Sequence, residues 1–233
     1  MLSQRRGETH RSGRVGWLRA LVLGANDGIL STGALLLGVA GAGADRSQLL
    51  TVGVAGLTAG ALSMGIGEFV SVSSQRDTEL ADRAMEEQEL EEDPEAELAE
   101  LRNIYIDRGL PRELAQQVAE SLSESDPLGA HLRDELGLTE EMAARPWQAA
   151  WSSMASFAVG ALVPLLTAAL MPASIRAVAI TVATCVAMIA LGAIGGGLGG
   201  ASRVRGAVRV GIGGGAALAL TYLIGSAFGT AIG

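Results

Sequence analysis

The sequence predicts an all-α, polytopic membrane protein with five transmembrane helices and a cytoplasmic helical insert between helices two and three. Three observations predict it. Five long runs are almost free of charge. The acidic residues crowd into one segment between the second and third runs. The composition, 49% apolar with 32 glycines and 3% aromatic residues, is that of closely packed membrane helices. The predicted organisation is an N-terminal arm with helices one and two (1–75), an acidic helical domain (76–145) and helices three to five (146–233).

Each run is about 25 residues, enough at about 1.5 Å per residue to cross a hydrocarbon layer about 30 Å thick. They are Ala20–Ala44, Leu49–Ser74, Trp147–Met171, Ala177–Ala201 and Val210–Gly233. The last three hold no charged side chain, the first holds Asp27 and the second Glu68. The basic start followed by an apolar run resembles a secretory leader, but the run is too long and is interrupted by Asn26-Asp27, so it reads as an uncleaved first helix. Orientation follows from arginine. Arg5, Arg6, Arg11, Arg14 and Arg19 precede the first span, and Arg203, Arg205 and Arg209 join the fourth to the fifth. Both groups belong on the cytoplasmic side of a cell inner (plasma) membrane, which puts the insert inside and the C-terminus outside.

Charge divides the chain into two opposite bodies. Arg76–Arg145 carries 21 acidic against seven basic residues, a net charge of −14, while the remainder carries ten basic and four acidic, +6, and the chain has no lysine. No Gly or Pro interrupts Glu68–Asp93, so the second span continues as one long helix until Pro94. Helices are then predicted at Glu95–Arg108, Pro111–Ser123 and Pro127–Met142, with Leu98, Leu101, Ile104, Leu114, Val118 and Leu122 forming a thin core.

Within the insert, Glu86 and Glu89 are three apart, as are Glu97 and Glu100. On a helix that spacing puts each pair on one face, about 5–6 Å apart. Brought together across the Pro94 turn, the four carboxylates repel unless protons or divalent cations neutralise them. His131 and Glu135, four apart, can add an imidazole and a fifth carboxylate. The competing reading of the same spacing is a solvated acidic surface.

In the spans, an ionisable group at membrane depth costs about 2.5–3.5 kcal/mol even on the lenient insertion scale, and such groups are functional by default. Met64 and Glu68 lie one turn apart on the second helix, and Asp27 lies in Asn26-Asp27-Gly28 of the first. A thioether beside carboxylates suits iron(II) or manganese(II) better than Mg²⁺ or Ca²⁺. The competing readings are packing for Met64 and structural hydrogen bonds or a place at the cytoplasmic mouth for the carboxylates. Glycines at four-residue spacing (Gly192, Gly196, Gly200; Gly211, Gly215; Gly225, Gly229, Gly233) predict close helix packing, within one subunit or between two. Cys185 is the one cysteine and reads as a small core residue. No P-loop, nucleotide fingerprint or basic nucleic-acid surface occurs.

Leu23-Gly24-Ala25-Asn26-Asp27-Gly28 and Ala61-Leu62-Ser63-Met64-Gly65, with Gly67-Glu68 after it, resemble the first- and second-helix signatures of the vacuolar iron transporter family. The order of two spans, acidic helical insert and three spans is also similar to that family. The resemblance covers nearly the whole chain. It implies a transporter rather than an enzyme: a homodimer that exchanges protons for Fe²⁺, or for Mn²⁺, Zn²⁺ or Co²⁺, moving metal out of the cytosol. Asp27 and Met64 match the family's pathway positions, and Glu86, Glu89, Glu97, Glu100 and Glu135 match the glutamates of its cytoplasmic metal-binding domain. This chain departs at His131-Leu132, where plant-type members carry two methionines, and at Ala20, where they carry an acidic residue; Glu68 is not acidic in all members. Two alternatives remain, a membrane-anchored metal store or oxidase and a metal sensor. A di-iron bundle needs Glu-x-x-His on two helices, and the insert contains no Glu-x-x-His.

Overall fold

The computed structural model describes residues 15–139 and 144–232. Arg5, Arg6, Arg11 and Arg14, on which the orientation partly rests, lie outside them, as do Met142 and Gly233. The described residues form eight helices and no strand: α1 Val15–Gly41, α2 Arg46–Glu92, α3 Pro94–Asp107, α4 Arg112–Ser125, α5 Pro127–Asp134, α6 Pro146–Leu170, α7 Arg176–Leu198 and α8 Arg203–Ile232. Five of them, α1, α2, α6, α7 and α8, are long and apolar enough to cross a membrane. The chain divides into two compact units, one running up to Phe69 and resuming at Trp147, the other Val70–Pro146.

In the first unit the glycines set the helix spacing. Gly192 of α7 and Gly206 of α8 face each other's backbone carbonyls, and Gly225 and Gly229 of α8 lie against Gly38 of α1 and Ala42 of the turn after it. A Cβ at Gly192 would stand 2.7 Å from the Gly206 carbonyl oxygen, so these crossings need the missing side chain. A Cβ at Gly215 would meet nothing within 4 Å, but among the glycines at four-residue spacing Gly192, Gly225 and Gly229 thus make close backbone approaches within the subunit. Gly28 and Gly160 do the same between α1 and α6, against the carbonyls of Phe157 and Ala25. Around them Leu36, Leu37, Leu49, Ala168, Ile180 and Leu218 form the buried core.

The loop between α7 and α8 is shorter than the sequence suggests. Gly200 takes a φ of +76°, which ends α7, and α8 already begins at Arg203, so Arg203, Arg205 and Arg209 occupy its first turns instead of a connecting loop. At the other turns, Arg46 and Arg176 both donate to the Met171 carbonyl, at 2.9 and 3.2 Å, satisfying the C-terminal end of α6.

α2 is a single helix of 47 residues, about 70 Å long at about 1.5 Å per residue, more than twice the depth of a hydrocarbon layer. Asp93 ends it and starts α3: its carboxylate accepts the Ala96 N–H at 3.0 Å, and Pro94 fills the first helical position where no N–H is needed. Asp126 and Pro127 repeat the arrangement for α5.

The second unit's core is Leu101, Ala119 and Ala130, with Leu98, Tyr105 and Leu122 packed on it. Two expectations fail here. Leu114 is 48% exposed, and the neighbouring alanines Ala115 and Ala119 face inward; small residues on that face leave Leu101 room to fill the space. The last helix stops at Asp134, eight residues before Met142. Gly137 adopts a φ of +68°, and Leu136 and Leu138 donate back to the carbonyls of His131 and Leu132 at 3.3 and 2.6 Å, closing the helix end.

Candidate metal centres

Three helices converge on one ring nitrogen in the Val70–Pro146 unit. Glu86 comes from the last turns of α2, Glu97 from the first turn of α3, His131 from the middle of α5 and Glu135 from its C-terminal cap. His131 Nδ1 lies 3.0 Å from Glu86 Oε1, 3.1 Å from Glu135 Oε2 and 3.7 Å from Glu97 Oε2. His131 is fully buried, Glu86 3% exposed and Glu97 8% exposed. One potential ligand atom each from Glu86, Glu97 and His131 falls within 4.8 Å of the others.

This arrangement does not satisfy itself. A ring nitrogen carries at most one proton, and the contact with hydrogen-bond geometry is the one to Glu135. Glu86 Oε1, although 3.0 Å away, is left without a hydrogen, and His131 Nε2 is buried without a partner. Among the described residues no arginine comes within ion-pair distance of Glu86 or Glu97. A fully protonated imidazole would still leave a surplus of negative charge, and burying unpaired carboxylates is costly. Accordingly, burial pushes the Glu86 carboxyl above the usual carboxylate range; Glu135, Glu97 and Glu89 push the same way, and His131 opposes them. Glu97 is raised in the same manner, by burial first and by Glu100 next.

The chemistry that resolves the surplus is a proton or a cation. Bonds of about 2.0–2.2 Å, as made by transition metals to imidazole and carboxylate, put neighbouring ligand atoms about 3.0–3.5 Å apart, close to the spacing around Nδ1. An imidazole with three carboxylates is a nitrogen and oxygen set suited to Fe²⁺, Mn²⁺, Co²⁺ or Zn²⁺. Glu89 and Glu100 are exposed at the edge of the cluster and act on it through their charge. One member of each sequence pair thus joins the centre, and His131, an accessory in the sequence reading, sits in the middle.

A clamp beside the cluster was not foreseen. Asp134 accepts hydrogen bonds from Tyr105 Oη at 3.0 Å, Arg108 Nη1 at 2.6 Å and Arg133 Nη2 at 2.7 Å, tying α5 to α3. Burial alone would raise its carboxyl, but these three donors outweigh burial and hold it below the usual range. The sequence signal was faint: four polar residues, Tyr105, Arg108, Arg133 and Asp134, spread over 30 positions.

In the first unit, Asp27, Ser31, Thr32 and Leu35 of α1, Gly56, Gly60, Ser63 and Met64 of α2, and Phe157 of α6 line a cavity of about 230 Å³. Gly60 gives the Phe157 ring its place, since a Cβ there would stand 2.6 Å from Cε1. Phe157 with Ala61 and Ala161 in turn packs Met64. Asp27 and Met64 therefore share one cavity, whereas Glu68 is not among its lining residues. Ser31, Thr32 and Ser63 went unnoticed in the sequence, although Ser31 and Thr32 follow Asp27 by about one helical turn.

The profile of the VIT family matches residues 18–226. The vacuolar iron transporter of Acanthamoeba castellanii is 43% identical over 222 residues, covering 94% of this chain and 82% of that protein. Vacuolar iron transporter homolog 5 of Oryza sativa subsp. japonica is 38% identical, covering 92% of this chain and 82% of that protein. Vacuolar iron transporter homolog 2.1 of Arabidopsis thaliana is 36% identical, covering 94% and 84%.

Proposed function

The chain belongs to the VIT family, and from that premise we propose that it exports Fe²⁺ from the cytosol in exchange for protons, acting as a homodimer in the cell inner membrane. Mn²⁺, Co²⁺ and Zn²⁺ are the alternative cargoes. The Val70–Pro146 unit faces the cytoplasm and captures metal through Glu86, Glu97, His131 and Glu135, with Glu89 and Glu100 drawing cations toward them. Asp27 and Met64 carry the ion across the membrane. Glu68, one turn from Met64, acts nearer the cytoplasmic end.

The observation that carries this reading is the buried cluster around His131, whose unneutralised carboxylates call for a cation, in a chain whose relatives are named iron transporters. Burial raises the Glu86 and Glu97 carboxyls and metal binding needs them deprotonated, so protons and metal compete for this cluster, in keeping with a proton-linked cycle.

The test is Fe²⁺ movement in proteoliposomes with the pH gradient set in either direction. Flux should rise when the side receiving the metal is acidic and slow when the gradient is collapsed. Undiminished flux without a gradient removes proton exchange, and metal binding without flux by folded, inserted protein favours storage or sensing.

A further inference from the structure

Threonines in the spanning helices mostly occupy their hydroxyls locally. Thr51, Thr58, Thr167, Thr181 and Thr221 each donate to the carbonyl four residues back, at 2.7–2.9 Å. Thr32 does not. It is 2% exposed, its hydroxyl has no hydrogen-bond partner, and it lines the same cavity as Asp27 and Met64. A buried hydroxyl without a partner costs its full desolvation, a cost that an apolar side chain of the same shape would avoid. Thr184 of α7 is buried and unpartnered too, but it packs against Gly33 and lies outside the cavity lining.

We propose that Thr32 is a further ligand of the transported ion, its hydroxyl oxygen joining the Asp27 carboxylate and the Met64 thioether in the membrane cavity. The inference rests on the transport reading above and adds a neutral oxygen to a set of one charged oxygen and one soft sulfur. A divalent ion leaving water for a span needs more than two donors to replace its hydration, and a neutral donor supplies one without adding charge that would hold the ion in place. Ser31, by contrast, is committed to the Asp27 carbonyl at 2.6 Å.

The experiment measures Fe²⁺ flux against Fe²⁺ concentration in proteoliposomes for the wild type, Thr32→Val, Thr32→Ala, Thr32→Ser, Thr184→Val and Asp27→Ala, with thermal melting of each protein in detergent. Thr32→Val and Thr32→Ala should raise the half-saturating concentration on the order of 10- to 100-fold, as loss of a metal-site partner does, without lowering the melting temperature. Thr32→Ser should restore wild-type behaviour, and Thr184→Val should leave flux unchanged. Wild-type saturation in both hydroxyl-free variants beside an inactive Asp27→Ala overturns the role of Thr32 alone. Failure of Thr32→Ser to restore saturation overturns it too, since shape rather than the hydroxyl would then matter. Wild-type flux in Asp27→Ala as well removes the pathway itself.

Discussion

The two units hold ionisable groups away from water by opposite means. In Val70–Pro146 three carboxylates crowd one imidazole, with two more at the edge, and among the described residues no arginine lies within ion-pair distance of Glu86 or Glu97. In the membrane unit one carboxylate shares a cavity with hydroxyls and a thioether, between helices brought close by glycine. A crowded anionic site binds cations strongly at the cost of proton competition. A sparse, mostly neutral site binds weakly and lets go. Capture and passage ask for those two behaviours.

The largest expected effect breaks the comparison at the sparse site. Asp27→Ala or Met64→Ala should lower Fe²⁺ flux by 100-fold or more, roughly the loss of a primary ligand, while leaving metal binding by the acidic unit intact. Stopped-flow flux together with equilibrium metal binding on the same preparation checks this.

The next effect concerns protons at the crowded site. Because burial raises the Glu86 and Glu97 carboxyls in the folded protein, the stability these two groups contribute to the metal-free unit is fully present below the ordinary carboxylate range. That stability is lost as pH rises through the raised folded values. Metal binding runs the other way, since protons compete for the same oxygens. Amide hydrogen exchange of α3 in the full chain should therefore show more protection without metal on acidification, and a metal-induced gain that shrinks over the same window. Glu86→Gln with Glu97→Gln should flatten both trends and weaken metal binding on the order of 10- to 100-fold. Asp134 acts oppositely: its lowered carboxyl keeps its clamp until pH falls below the usual carboxylate range.

The smallest effects test the frame that holds the crowded site. Leu101→Ala empties a fully buried position and should destabilise the acidic unit by about 2–5 kcal/mol, whereas Leu114→Ala, at an exposed position, should stay within about 0.5 kcal/mol. Hydrogen exchange of α4 distinguishes the two.

Much of this was legible in the sequence. Nearly charge-free runs of membrane length gave five spans, and the unbroken stretch to Asp93 gave a single long second helix, because length and helix breakers are local properties. Asp27 and Met64 could be paired because each was a polar or soft exception in an apolar run. What escaped depended on tertiary packing. Periodicity put Leu114 inside, but the helix turned its alanines inward because a large Leu101 opposed them. The sequence offered His131 as an added ligand but not as the centre, since nothing local says that three helices meet at its ring. Thr32 looked like an ordinary helical threonine until its hydroxyl proved unpartnered. The arginines at 203, 205 and 209 resembled a loop because charge alone does not mark where a helix begins; Gly200 does, through its left-handed backbone.

The division of labour between the units is tested most directly by measuring metal bound per protomer and Fe²⁺ flux in the same proteoliposomes for His131→Ala and Met64→Ala. The account predicts opposite losses: His131→Ala binds less metal in the acidic unit yet still transports at saturating Fe²⁺, and Met64→Ala binds normally but does not transport. Equal loss of both properties in both variants would contradict it, because a single shared site would then explain the data.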